Sequence, residues 1–159
     1  MLKETLELKV AKQLTNKRKT LAVAESCTGG LISHQLTNIP GSSKFFKLGI
    51  ISYSYEAKIK LLNIAPSTLK KHGAVSLPVT TRMAEQVRII LQSDFGIGIT
   101  GIAGPAGATA TKPIGLVFIA VSSTKKTECF RYFFKGNRLS IKTQAASRAL
   151  EHLLQFMIS

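Results

Sequence analysis

One hundred and fifty-nine residues, 45% of them apolar, suit one domain with a single core and exclude two ordinary ones. Two cysteines argue against a disulfide-stapled scaffold, no run approaches the roughly 20 apolar residues that cross a bilayer, and Met1-Leu2-Lys3-Glu4 opens no leader-like stretch, so reduced thiols and a cytoplasmic setting are expected. Twenty-two Lys plus Arg against 8 Asp plus Glu leave a net charge of +14, a field that draws anions such as nucleotides or nucleic acid.

Leu2, Leu6, Val10 and Leu14 recur every four residues and predict an amphipathic helix ending near Asn16. Short apolar runs at Leu21–Ala24, Gly49–Tyr53, Phe95–Thr100, Leu116–Val121 and Cys129–Phe134 predict strands, several too continuously apolar to have a wet face. Helical spacing falls between and after them at Leu31–Leu36, Glu56–Leu62, Pro66–His72, Pro78–Leu91 and Ser140–Phe156. This alternation predicts an α/β layered domain, and Lys125-Lys126 between two adjacent strands predicts a hairpin, hence a mixed sheet. The longest irregular segment, Gly101 to Pro113, follows a buried strand directly and is a candidate binding loop that neighbours the turn after Ala24 at the strands' carboxyl ends.

That turn, Glu25-Ser26-Cys27-Thr28-Gly29-Gly30, joins a strand to a helix. It can hold a nucleophile beside unpaired helix amides, and Ser26 or Thr28 can equally be a plain N-cap. A serine nucleophile needs a base. His34, His72 and His152 have no evident partner, and the few acids form neither an acid-base pair nor a metal site, so metal chemistry is not expected. Lys58 follows a buried strand, where its side chain can either reach back to the sheet's end or stay in solvent. It becomes a base only if burial or neighbouring cations bring its pKa from about 10.4 towards neutrality. Cys27 is a rival nucleophile and also a small packing residue.

Five blocks, Ala24–Gly30, Pro40-Gly41-Ser42-Ser43, Tyr53-Ser54 with Ala57-Lys58, His72–Ser76 and Thr100–Pro105, closely resemble the CinA C-terminal domain family in order and spacing, across nearly the whole chain. The resemblance implies that residues 1–159 form one three-layer α/β/α sandwich with a mixed, mostly parallel central sheet, often homodimeric and cytoplasmic. Stand-alone members of the family include nicotinamide mononucleotide amidases. These hydrolyse the carboxamide to nicotinate mononucleotide and ammonia, without a metal or cofactor.

Carried over by position, the resemblance makes Ser26 the nucleophile and Lys58 its base, with Tyr53 and Thr100 supporting the site. It assigns substrate contacts to Cys27, Thr28, Gly29, Gly30, Gly101 and Arg138. Two departures stand out. Ala106-Gly107-Ala108 replaces an acidic residue and paired glycines, and Lys142 replaces a common arginine. The first bears on loop freedom, because alanine resists positive φ, and the second substitutes a point charge for a forked donor. The alternative function is a nucleotide- or nucleic-acid-binding protein, catalytically weak, on the same scaffold; the cations are nevertheless scattered, with no nucleic-acid motif or aromatic stacking signature.

Overall fold

The computed structural model describes residues 4–159. Its elements run α1 (Leu6–Asn16), β1 (Leu21–Glu25), α2 (Leu31–Thr37), a 3₁₀ turn (Ser42–Lys44), β2 (Phe46–Ile51), α3 (Tyr55–Leu62), α4 (Pro66–His72), α5 (Leu77–Ile90), β3 (Phe95–Gly101), β4 (Leu116–Ser122), β5 (Thr127–Phe133) and α6 (Arg138–Ile158). Every expected element is present. The first helix starts at Leu6, where Thr5 caps it by accepting from the Leu8 amide, and Leu2 lies outside the described residues.

The sheet order is β2-β1-β3-β4-β5. β1 pairs in parallel with β2 and β3, while β4 is antiparallel to both β3 and β5. Four strands therefore point one way and β4 alone is reversed, as the hairpin at Lys125-Lys126 requires. β1 and β4 are buried along their whole length, and β2, at an edge, alternates between half-buried and exposed. That edge position moves β2 off its expected bounds. Phe46 pairs with Leu21 and brings the strand in three residues early, and Tyr53 falls beyond its end because Ser54 already caps α3.

Period-two alternation assigns the two faces. Leu21 and Val23 of β1, Ile97 and Ile99 of β3 and Val117, Ile119 and Val121 of β4 pack against α1, α2 and α6. Ala22 and Ala24 face the other way, against Leu62, Leu69, Val79, Met83 and Val87 of α3, α4 and α5. The small residues on that second face allow close approach: a Cβ at Gly96 would lie 2.1 Å from the Ala84 carbonyl oxygen and one at Gly98 2.6 Å from the Ala84 amide nitrogen. α5 thus rests directly on β3. Apolar helices cover both sides of the sheet and leave the strand ends as the place for a pocket.

Candidate active site

The carboxyl ends of β1, β2, β3 and β5 lie at one edge of the sheet because those strands run the same way. Each delivers part of one pocket of about 240 Å³: Ser26 and Cys27 after β1, Tyr53 and Lys58 after β2, Thr100 and Gly101 at the end of β3, and Arg138 after β5. The loop between β3 and β4 supplies Ile102, Ala103, Gly104, Ala106 and Gly107, and the segment before α5 supplies Ala74 and Val75. The expected proximity of this loop to the Ser26 turn is therefore met.

Lys58 is 1% exposed, and no ion pair among the described residues involves it. Its Nζ lies 3.1 Å from Ser26 Oγ, 2.6 Å from the Ser52 carbonyl oxygen and 3.5 Å from that of Tyr53. Burial pushes its pKa down from 10.5 to about 8. In the neutral amine two N–H groups donate to the two carbonyls, and the lone pair is left facing the Ser26 hydroxyl. This fits a base held beside a serine. Helix α3 carries Lys58 to this place because Ser54 caps it, accepting from Ala57 at 3.0 Å.

Ser26 itself is 7% exposed, with its amide donating to Ile99 across the sheet. The chain turns into α2 through Gly29 and Gly30, at φ of 61° and 98°, a left-handed pair that side-chain-bearing residues adopt only with strain. The Gly29 amide returns to the Ser26 carbonyl, and among the described residues the Cys27 and Thr28 amides meet no backbone acceptor. Burial, with the Glu25 charge adding to it, pushes the neighbouring Cys27 thiol up to about 12.

Three of the expected contact residues have another job. Thr28, Gly29 and Gly30 do not line the pocket. The Thr28 hydroxyl and the Gly30 amide donate to the Glu25 carboxylate at 2.6 and 3.1 Å. None of the three histidines lines it either. His34 pairs with Asn38, the His72 carbonyl accepts from Lys112, and His152 bonds Tyr132.

At the pocket mouth Arg138 is exposed, donating from Nη1 to the Gly104 carbonyl at 2.7 Å and from Nη2 to the Tyr53 hydroxyl at 3.2 Å. It bridges the β3–β4 loop and the segment after β2. Ala106 lines the pocket, whereas Ala108 does not and keeps an ordinary φ, because the left-handed conformations in this loop fall on Gly104 and Gly107. Lys142 stands behind the turn, its Nζ 3.5 Å from where a Cβ on Gly29 would be.

Sequence reasoning passed over Glu25 as a structural device. It is fully buried, and its carboxylate accepts from the Thr28 and Ser33 hydroxyls and from the amides of Gly30, Ile32 and Ser33, so it caps α2 from the preceding strand. An acid at the end of an apolar strand, just before glycines and a helix, was the available signal. Glu25→Ala leaves these buried donors unmatched and is expected to cost about 3–5 kcal/mol of stability, read as a lower urea midpoint at unchanged slope.

A three-layer α/β/α domain with a serine and a buried lysine at its strand ends is the class these observations define. A family model described as the CinA C-terminal domain matches residues 3–157. The CinA-like protein of Syntrophus aciditrophicus is 48% identical over 155 residues, covering 97% of this chain and 37% of that relative. The crystal structure of a competence-damaged protein (CinA) superfamily protein from Klebsiella pneumoniae superposes with a TM-score of 0.93 at 31% identity over 96% of both chains. That of a competence/damage inducible protein from Agrobacterium tumefaciens gives 0.93 at 33% identity, over 97% of this chain and 94% of the other. The chain belongs to the CinA C-terminal domain family, and it spans little more than a third of the length of the curated relatives it matches.

Proposed function

We propose that this domain is an amidohydrolase that converts nicotinamide mononucleotide and water to nicotinate mononucleotide and ammonia. The observation that carries the reading is the buried Lys58 Nζ at 3.1 Å from Ser26 Oγ, in no ion pair among the described residues. Neutral Lys58 takes the Ser26 proton as Oγ attacks the carboxamide carbon. The Cys27 amide, at the pocket wall, is the candidate donor to the resulting oxyanion. Protonated Lys58 returns its proton to the departing nitrogen, ammonia leaves, and water activated by the same amine cleaves the nicotinoyl ester to regenerate Ser26. Thr100, 1% exposed, and Gly101 form the floor from which the carboxamide is presented.

The net charge of +14 serves an anionic substrate, and Arg138 at the mouth is the forked donor for its phosphate. A cytoplasmic homodimer belongs to the same reading. Arg138→Lys keeps the charge but cannot span Gly104 and Tyr53 while presenting two parallel donors. It is expected to raise KM about tenfold or more with a smaller change in kcat, measured by steady-state ammonia release. The test of the reading is incubation of the purified protein with nicotinamide mononucleotide, assaying ammonia and nicotinate mononucleotide together. Equimolar products support it. Salt-sensitive binding of RNA or DNA with neither product would favour the binding protein instead.

A further inference from the structure

Two nucleophiles stand side by side in the turn, and a reason why the serine and not the thiol is used lies one residue earlier. A cysteine just before a helix is ordinarily activated, because the first amides of the helix carry partial positive charge and stabilise a thiolate. Here the amides of Gly30, Ile32 and Ser33 lie 3.1, 3.2 and 2.8 Å from the Glu25 carboxylate oxygens, and the Thr28 and Ser33 hydroxyls donate to the same group at 2.6 and 2.8 Å. The start of α2 is thereby satisfied by an internal anion that is fully buried and precedes Ser26 in the chain.

We infer that Glu25 is a positioning residue that selects Ser26 over Cys27 as nucleophile, by taking up the α2 amides that would otherwise stabilise a Cys27 thiolate and by burying a carboxylate two residues before it in the chain. The inference rests on the serine reading of the site. Burial is the main influence opposing ionisation of Cys27, and the Glu25 charge adds to it, while the residue's own backbone amide, Lys58 and Lys142 favour ionisation. Glu25 also ties the turn to the base. Its backbone carbonyl accepts from the Ser52 amide at 2.8 Å, and the Ser52 carbonyl in turn accepts from Lys58 at 2.6 Å. One residue thus holds the nucleophile turn and, through Ser52, the lysine.

The test is the pH dependence of Cys27 alkylation by iodoacetamide, resolved from Cys129 by peptide mass spectrometry, in the wild-type chain and in Glu25→Gln. The glutamine keeps one acceptor oxygen and removes the charge. The expected result is a Cys27 midpoint at least one pH unit lower in Glu25→Gln, with alkylation about tenfold faster at pH 8. A loosened turn also exposes the thiol and lowers its midpoint, so amide hydrogen exchange of the Glu25–Ser33 peptide is read alongside; an unmoved midpoint, or a lower one accompanied by faster exchange, overturns the inference. Should Glu25→Gln fail to fold, the wild-type arm decides. A Cys27 midpoint at or below that of an ordinary thiol overturns the inference. Because alkylation requires no turnover, its outcome is separate from whether ammonia is released from nicotinamide mononucleotide.

Discussion

Ser26→Ala is expected to lower kcat for ammonia release from nicotinamide mononucleotide by about four orders of magnitude or more, with KM close to the wild-type value. Removing a nucleophile takes away the covalent route itself and leaves the binding groups in place. The substitution deletes one oxygen from a side chain that is 7% exposed, and Lys58 keeps its carbonyl partners at Ser52 and Tyr53. The thermal midpoint should therefore stay near that of the parent. Cys27→Ser is the matched control, since a thiol pushed up to about 12 contributes little nucleophile at neutral pH, and its kcat should remain within about tenfold of the parent. Loss of activity in Cys27→Ser together with survival in Ser26→Ala would transfer the chemistry to the cysteine.

Lys58→Met is expected to remove activity and add stability at once. Without the amine nothing takes the Ser26 proton, so kcat should fall about a thousandfold or more. In the parent, log kcat/KM should rise with pH and level off above about 8, where the buried amine is neutral; the methionine variant's residual rate should lack that limb. For stability, the folded state releases the Lys58 proton near pH 8 and the unfolded chain near 10.5, so the unfolded chain binds more protons between those values. The parent's stability therefore rises with pH across that window from this group, and below pH 8 the full penalty of about 3 kcal/mol applies. Methionine carries no such penalty. Urea unfolding at pH 7 should place Lys58→Met above the parent, less the loss of the two carbonyl contacts, and the difference should shrink as the pH approaches 10. A variant that is inactive and less stable at pH 7 by several kcal/mol would show that the fold stabilises the Lys58 ammonium rather than penalising it.

The elements were legible because this chain marks them redundantly. Pro66 opens α4 at the expected residue, Gly73 closes it, and β1 and β4 are buried as their unbroken apolar runs demand. β2 was misplaced for a physical reason. At a sheet edge, pairing rather than apolarity decides where a strand begins, and Phe46-Lys47-Leu48 alternates where an unbroken run was sought. The local residues of the site were less legible than the fold. Nothing in Ser52 announces that its carbonyl would anchor Lys58, since a backbone acceptor has no signature in residue type. Lys58 alone reads either as a surface lysine or as a base reaching back to the sheet's end, and the five ordered blocks, not its residue type, assign it the second role. The resemblance assigns substrate contacts to Thr28 and Gly30, and the residue types alone do not announce that Glu25 binds the hydroxyl of one and the amide of the other once the strand brings its carboxylate underneath. Charge worked in the same way. An acid ending an apolar strand looks like an interruption until the helix that it caps is in place.

The central claim is that amide cleavage passes through an ester on Ser26. Acid-quenching the enzyme during turnover of nicotinamide mononucleotide and mapping the peptides by mass spectrometry tests it most directly. The predicted result is a base-labile adduct on the peptide containing Ser26, with the mass of the nucleotide less ammonia, absent from Ser26→Ala. An adduct carried by Cys27 or any other side chain, or the same ammonia yield from Ser26→Ala as from the parent, would contradict it.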